Sequence, residues 1–449
     1  LTPLQKGIYY HWLSSNNPAT YFNQQSFRLF IPNISSESIE QAYNILVQRH
    51  AVLRTYFTTS YAGELLQIVC KNPKKEYEFI DLNKIGVSLN EREKYIKEYR
   101  EGDINKGFNL EQGVQLRLTI LKLNENLYEF IWSNHHIILD GWCIKIIESE
   151  LLEILESFSS NSHPSLSTPP PYSSFIQWVQ ERNTPSTMEF WEGYLKDYKK
   201  NVTLPFKKYN KANDKFRPKK LMVDVKLQEL ERLRKQCHEF QITENTFIQS
   251  IWGYLISRYN NTSDVVFGTV VSGRPSEIKN IDNMVGLFIN TVPVRITYLE
   301  TDTVKDLLKR VQKQSIDSME HQFIGLSDIQ AQCDIGKDLI NHILVFENYV
   351  EWKTDRKNTQ KINIESQCNF EQNHYDFSNN SVYRDKEIKT IAKHFKSILN
   401  TFLKMPQAML KDINYLSRRE HEKLLKEFNN TKVDYGLEKT IVDLFQAQV

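Results

Sequence analysis

Asn134-His135-His136-Ile137-Ile138-Leu139-Asp140-Gly141-Trp142 is the stretch that decides the fold, because a strand pattern ends there and a helix pattern begins. Before it, residues 116–121 and 127–132 are two short runs typical of strands. After Gly141, apolar residues recur at helical spacing to about Phe158. The sequence therefore predicts a strand–turn–helix corner that holds two histidines and an aspartate.

Three interpretations fit this corner from residue chemistry alone. In the first it is a structural turn, in which a histidine caps the strand, Asp140 caps the helix as a preferred N-cap residue, and Gly141 supplies the turn. In the second the histidines bind a metal, but adjacent residues of an extended chain point to opposite faces and cannot easily share one ion. In the third an imidazole takes part in acyl transfer, because its ordinary pKa of about 6.5 suits a base or hydrogen-bond partner.

Away from the corner, residues 24–30, 265–271 and 342–346 show strand patterns, and residues 247–259, 303–319 and 388–403 show helix patterns. Ser35 and Ser36 can cap a further helix that carries Glu37 in its first turn. These elements lie on both sides of a stretch rich in Ser and Pro. Pro169-Pro170-Pro171 cannot lie inside a helix or a central strand. We therefore predict an α+β fold with an N-terminal lobe at 1–160, a linker at 161–175, a C-terminal lobe at 176–425 and a tail at 426–449.

Composition excludes several classes of protein. The 57 Lys and Arg against 55 Asp and Glu give a net charge of +2, so nothing attracts the whole chain to nucleic acid or to an anionic membrane. The five cysteines are scattered and form no CxxC pair, which predicts neither a zinc knuckle nor a disulfide framework. We expect free thiols, a cytoplasmic location and no metal. The chain does not begin with Met, so we also expect it to be a segment of a longer protein.

The sequence HHIILDG at 135–141 resembles the HHxxxDG signature of the condensation-domain superfamily of non-ribosomal peptide synthetases. Chloramphenicol acetyltransferase and related acyltransferases carry similar forms, so this motif alone does not distinguish condensation domains from them. Other segments of the chain supply the distinction. Seven of them resemble motifs of these domains, in the same order and spacing from residue 1 to about 430: LTPLQKGIYYHW at 1–12, RHAVLRT at 49–55, YSSFIQW at 172–178, FWEGYL at 190–195, DVVFGTVVSGRP at 264–275, VGLFINTVPVR at 285–295 and HILVFENY at 342–349.

The resemblance implies a fold and a reaction. The fold would be two chloramphenicol-acetyltransferase-like lobes forming a pseudo-dimer with a tunnel between them. The reaction would be attack of an acceptor α-amine on a donor thioester, with both substrates on phosphopantetheine arms of carrier domains and no cofactor bound by this domain. An upstream donor carrier and a downstream acceptor carrier would be partners. Residues 424–436 and 440–449 resemble the junction to an adenylation domain, which would be the adjacent partner.

The resemblance also implies roles for individual residues. His136 would be the catalytic residue, with His135 structural and Gly141 letting the backbone approach the substrate. Asp140 would pair with an arginine that shapes the histidine loop, for which Arg274 is the first candidate and Arg295 the second. Tunnel candidates are Trp142, Asn290 and Asn348. Cys143, where relatives often have Ser, is expected to pack and not to act as a nucleophile.

Two rival functions share part of this pattern: a degenerate domain that docks carriers or recruits an enzyme, and an epimerisation domain. The intact motif argues against the first, and the GLFINTVPVR strand with its following linker argues against the second. Heterocyclising relatives lack the two histidines. The opening at 1–11 and the strand segment at 286–295 further resemble the subtype that takes a D-configured donor and an L-configured acceptor. Residues 373–389 look shorter than in the family.

Overall fold

The computed structural model describes the chain except residues 61–62, 183, 206–220, 222, 348–362, 372–384 and 432–439. Its strands are β1 (Phe22–Phe30), β2 (Thr55–Thr58), β3 (Leu66–Val69), β4 (Tyr77–Asp81), β5 (Leu116–Lys122), β6 (Leu127–His135), β7 (Asp264–Val271), β8 (Asn290–Thr297), β9 (Ile343–Leu344) and β10 (Asn363–Glu371).

Its helices are α1 (Pro3–Ser14), α2 (Ser36–Arg49), α3 (Arg92–Lys106), α4 (Gly141–Ser159), α5 (Tyr172–Arg182), α6 (Pro185–Leu195), α7 (Leu227–Phe240), α8 (Glu244–Tyr259), α9 (Val304–Ser318), α10 (Leu326–Ala331), α11 (Asp385–Lys404), α12 (Arg418–Glu422) and α13 (Ile441–Gln446). The mixture of helices and largely antiparallel strands confirms the predicted α+β class.

A five-stranded sheet holds the histidine corner. Its strand order is β10-β1-β6-β5-β4, so β6 lies in the middle and is paired on both sides. Phe22 at the start of β1 lies opposite His135 at the end of β6. The outer strand β10 comes from far along the chain and pairs with β1 in antiparallel fashion. A central strand with partners on both sides is a rigid support for the residues at its end.

The two faces of this sheet differ in polarity, because side chains along a strand alternate between faces. Phe27, Phe130 and Trp132 lie on the apolar face and join a large core with buried residues of α2 and α4. The opposite face carries polar side chains such as Gln24 and Ser133, and both are fully buried. Helix α3 supplies polar partners for this second face.

A second sheet has the order β8-β7-β9 and packs against α8, α9 and α11 in a separate apolar core. The first core nevertheless includes Met284, Val285, Leu287 and Phe288, which precede β8. The segment 284–288 of the later half therefore packs with the earlier half, next to the start of α4. The lobe and linker boundaries at 160, 175 and 425 stay predictions.

Several predicted elements are confirmed. Ser35 caps α2 and accepts the amide of Ser38 at 3.1 Å. The strand at 24–30 and the helices near 247–259, 303–319 and 388–403 are present as β1, α8, α9 and α11. The strand at 342–346 is shorter than predicted, with only Ile343–Leu344 in the ladder. The suspected shortening at 373–389 lies largely outside the described residues.

Candidate functional site

The histidine corner is a strand end followed by a capped helix. Strand β6 ends at His135, a turn follows, and α4 begins at Gly141. Asp140 has extended backbone geometry and its Oδ1 accepts the amide of Cys143 at 3.0 Å, which satisfies one of the unpaired N–H groups of the first helical turn. Asp140 therefore caps α4, as the first interpretation of the corner has it, and its side chain also makes the long-range contacts described below.

His135 is buried inside the corner and serves the turn. Its Nδ1 accepts the backbone N–H of Ile137 at 3.2 Å, which requires that nitrogen to be unprotonated. Burial, aided by the neighbouring His136, lowers the pKa of His135 to about 3. The imidazole is therefore neutral near pH 7 and its Nδ1 lone pair is engaged by the backbone, as expected for a structural residue.

His136 lies at the start of the turn and is half-buried. Its backbone N–H donates to the carbonyl of Tyr21 at 2.8 Å, so the turn is attached to the segment before β1. Gln5 of α1 is fully buried and donates from Nε2 to the carbonyl of Ile137 at 3.0 Å. The turn that carries His136 is therefore held at consecutive positions by different parts of the chain.

Gln5 is a site residue that the sequence motifs did not reveal. Thr2 and Gln5 form a capping box at the start of α1, in which each side chain bonds the other's backbone amide. The spacing T-x-x-Q could have indicated this helix start. It could not have indicated the contact to Ile137, which joins residues far apart in the sequence.

Asp140 also joins the corner to the later half of the chain. Its Oδ2 accepts the backbone N–H of Phe288 at 3.0 Å. Arg274 Nη2 lies 3.7 Å from Asp140 Oδ1, and the two side chains are 5% and 1% exposed. Arg274 was the first candidate for the arginine beside Asp140, and the structure brings the two together.

Arg274 is fixed by more than this carboxylate. Its Nη1 donates to the carbonyls of Ile281 and Met284. Its guanidinium also lies over the ring of Phe288, with Cζ 3.8 Å from the centroid. The residue before it, Gly273, has φ +61° and its ideal Cβ would lie 1.8 Å from the Phe288 carbonyl oxygen, so this close approach requires glycine.

Cys143 is a buried thiol at the same junction. Its Sγ lies 3.0 Å from the carbonyl oxygen of Gly286 and accepts from Arg274 Nη2 at 3.1 Å. Burial, reinforced by the charge of Asp140, raises the pKa of the thiol well above its ordinary value. A buried protonated thiol is a poor nucleophile, which agrees with the packing role expected for it.

The second candidate for the arginine beside Asp140, Arg295, is wrong. It lies on β8 and forms a bidentate ion pair with Asp264, with distances of 2.9 Å and 2.7 Å. Its Nη1 donates to the carbonyls of Tyr194 and Lys196. Arg295 is therefore committed to the second sheet, because its position on β8 places Asp264 of β7 beside it.

The other candidates occupy different positions. Half-buried Trp142 donates to the carbonyl of Asp282 at 2.9 Å, and its ring lies 5.5 Å from the guanidinium carbon of Arg274. Gly141 is exposed at the first position of α4. Asn290 is buried and donates to the carbonyls of Gln322 and Ile324, so its amide N–H groups hold a loop. Asn348 lies outside the described residues.

Among the residues that the structure describes, no group of three or more His, Cys, Asp or Glu side chains is arranged to hold a metal ion. No helix in the same part is both long enough and apolar enough to span a membrane.

Comparison with known families gives a match over most of the chain. The sequence model of the family described as Condensation domain matches residues 1–425. The chain is 31% identical to gramicidin S synthase 2 of Brevibacillus brevis, covering 100% of this chain and 10% of that protein. It is 30% identical to bacitracin synthase 1 of Bacillus licheniformis, covering 100% of this chain and 9% of that protein. The chain thus spans no more than a tenth of the length of these two relatives.

Solved structures show the same fold. The first condensation domain of the calcium-dependent antibiotic synthetase, in complex with a substrate analogue, superposes with a TM-score of 0.69 at 14% identity, covering 93% of this chain and 98% of that one. The X-domain from teicoplanin biosynthesis gives a TM-score of 0.75 at 16% identity, covering 93% and 97%. A four-domain non-ribosomal peptide synthetase gives 0.72 at 15% identity, covering 94% of this chain and 34% of that one.

Proposed function

We propose, because this chain belongs to the condensation-domain family of non-ribosomal peptide synthetases, that it joins a donor acyl thioester to the α-amine of an acceptor aminoacyl thioester. The observation that carries the proposal is the intact corner from His135 to Asp140 in a chain that the family matches over 1–425. Both substrates would be tethered to phosphopantetheine arms of carrier domains, with an adenylation domain as neighbour.

The reaction needs no covalent nucleophile from the protein, because a thioester is already activated. The acceptor nitrogen attacks the donor carbonyl carbon, the new C–N bond forms, and the C–S bond breaks as the tetrahedral intermediate collapses. The amine proton ends on the departing thiolate. Atoms and electrons balance without a metal, an oxidant or a further co-reactant.

Orientation supplies most of the rate enhancement in this proposal. Fixing two reactants in an attack geometry contributes up to about 7–11 kcal/mol. A positioned base or hydrogen-bond partner contributes a typical factor of about 10²–10⁴. An α-amine has an ordinary pKa of about 7.7–8.0 and is partly neutral near pH 7. We therefore assign His136 chiefly to orienting the amine by accepting a hydrogen bond from it.

The supporting residues hold His136 in place. Asp140 and Arg274 fix the start of α4 against the segment 284–288, and His135 fixes the turn backbone. A site held by buried side chains on a central strand and a capped helix keeps its geometry without the substrate.

The test is a product assay with two loaded carriers. The donor carrier bears a peptidyl or aminoacyl group, the acceptor carrier bears an amino acid, and intact mass analysis follows the acceptor. The proposal expects the donor mass to move to the acceptor only when the domain is present. No transfer with native carriers at saturating concentration would reject a condensing role and leave a docking role. Inversion changes no mass, so chiral analysis of the residue released from the carrier would detect it; inversion without transfer would indicate an epimerase.

A further inference from the structure

One carboxylate beneath the five-stranded sheet accepts hydrogen bonds from three neighbouring strands. Asp103 of α3 has a side chain that is 9% exposed. Its Oδ1 accepts from Arg117 Nε at 2.7 Å, and its Oδ2 accepts from Ser133 Oγ at 2.5 Å and Gln24 Nε2 at 3.0 Å. Gln24 and Arg117 both lie opposite Ser133 in the sheet register, so the donors form one row across β1, β6 and β5.

Ser133 of this row lies two residues before His135 on β6. Arg117 extends the row toward the histidine. Its Nη1 donates to the carbonyl of Gly107 at 2.6 Å. Its guanidinium carbon lies 4.1 Å from the centroid of the Phe108 ring. The Phe108 ring meets the His135 ring edge-on, with centroids 6.4 Å apart and planes at 87°. The ion pair is therefore connected to the buried histidine through one aromatic side chain.

The loop that carries Phe108 has little freedom to shift. Gly107 is the C-cap of α3 and has φ +60°. An ideal Cβ at this position would lie 2.4 Å from the carbonyl oxygen of Pro18, so the backbone of the loop touches the segment before β1. The end of α3 and the segment at Pro18 both hold this loop. The loop therefore transmits the position of Arg117 to the Phe108 ring.

His135 passes this constraint to the turn. Its Nδ1 accepts the N–H of Ile137, so the orientation of the His135 ring fixes the backbone direction directly after His136. We infer that Asp103 and Arg117 are positioning residues for His136, acting through the Phe108 ring and His135. The inference deepens the proposed condensing function and rests on it.

The same sheet face provides a matched control. Glu129 is also buried, accepts from Arg28 Nε at 2.8 Å, and is bonded by Ser26 Oγ. It lies on β6, six residues before His135, or about 20 Å along the strand. This carboxylate has the same chemistry as Asp103 but has no described contact with the loop at 107–108 or with the histidine turn.

The experiment compares Asp103→Asn with Glu129→Gln in the whole domain. The first measurement is kcat and KM with loaded carriers, and the second is hydrogen exchange of the Ile137 amide without substrate. A displacement of the reacting groups by about 1 Å costs up to 100-fold in rate. We expect Asp103→Asn to lower kcat by about tenfold or more at nearly constant KM, and to accelerate exchange at Ile137.

Glu129→Gln should lose a similar amount of thermal stability to Asp103→Asn, but it should differ from that variant in both measurements. Glu129→Gln should leave kcat and Ile137 exchange at wild-type values. If Asp103→Asn does not fold, Phe108→Leu keeps a partly buried apolar side chain while removing the ring contact with His135, and should give the same two changes. Equal effects from Asp103→Asn and Glu129→Gln, or unchanged exchange in Phe108→Leu, would overturn the inference.

Failure of the proposed function is distinguishable from failure of this inference. The exchange measurement needs no substrate, so it decides whether Asp103 orders the turn even if the wild-type domain forms no amide product. A wild-type domain that condenses, with an Asp103→Asn variant that condenses equally fast, rejects the positioning role alone.

Discussion

Phe288 donates its backbone N–H to Asp140 Oδ2 over 3.0 Å, so the residue that caps α4 also binds a loop from the other half of the chain. Asp140 is 1% exposed, and its Oδ1 is occupied by the amide of Cys143. The carboxylate therefore has local and long-range partners at once. The aspartate of the HHxxxDG pattern therefore connects the start of α4 to the segment 284–288 in this chain.

Replacing Asp140 by Ala should lower stability strongly. The change leaves Arg274 buried at 5% exposure without its carboxylate, and removing one partner of a buried ion pair costs about 3–5 kcal/mol. Loss of the helix cap adds about 1 kcal/mol. The measurement is the free energy of unfolding in urea. Asp140→Asn, which keeps a side-chain acceptor for the cap, should lose less. An unfolding free energy equal to wild type in the alanine variant would show that the pair contributes nothing.

Replacing His136 by Ala should remove activity and spare the fold. The side chain is half-buried, and the turn contacts described above use the backbone of His136 and its neighbours. We expect single-turnover condensation to fall by about 10²-fold or more, with little change in thermal midpoint. His163→Ala, an exposed histidine, is the control. Wild-type rates in His136→Ala with native carriers would remove this residue from the reaction centre.

Cys143 gives a prediction about hydrogen bonding in the core. Serine retains a donor for the Gly286 carbonyl and an acceptor for Arg274, whereas valine retains neither. We expect Cys143→Val to cost about 1–3 kcal/mol more than Cys143→Ser in unfolding free energy, because it leaves buried polar groups unpaired. Equal stabilities would mean that the thiol only fills space.

Stability should fall on mild acidification because of two buried histidines. Burial lowers the pKa of His135 to about 3 and that of His342 to about 4. The unfolded chain, with ordinary pKa values near 6.5, then binds protons that the folded chain does not, so stability is lost as pH falls below 6.5. Each histidine should cost about 2 kcal/mol between pH 6.5 and 5.

Urea unfolding at pH 7, 6 and 5 measures this loss. His342→Gln cannot take up the proton, so its stability should decline less than that of wild type over the same interval. The interval lies above the titration of ordinary carboxylates, which have pKa values of about 4. A variant whose stability declines as steeply as wild type would show that His342 does not contribute.

Local patterns predicted the corner well, and long-range contacts explain what they missed. The strand-to-helix change at 135–141 and the cap at Asp140 follow from periodicity and residue type. Helix α3 was missed because it covers a polar sheet face, so a sequence such as REKYIKEYREGDINK shows almost no apolar stripe. The bonds of Gln5 and Phe288 to the corner each join a side chain to a backbone atom more than 130 residues away, which no local pattern encodes.

The donor is predicted to end in a D-residue. LTPLQKGIYYH at the start of the chain and GLFINTVPVR at 286–295 resemble domains that follow an epimerisation domain. Both segments reach the histidine corner: Gln5 of the first contacts Ile137, and Phe288 of the second contacts Asp140. Segments in contact with the corner can shape the space beside His136. Stereochemical preference would then come from where the substituent on the donor α-carbon fits.

A misplaced thioester is sufficient to enforce that preference. A shift of about 1 Å can cost 100-fold in rate, so the wrong epimer needs only to turn its carbonyl away from the amine. The test loads one donor carrier with a D-terminated and one with an L-terminated peptidyl group and compares initial condensation rates at equal carrier concentrations. We expect the D-form to react at least about tenfold faster, because a displacement well under 1 Å already has that effect. Equal rates, or faster reaction of the L-form, would mean that the two segments follow ancestry and do not select the donor.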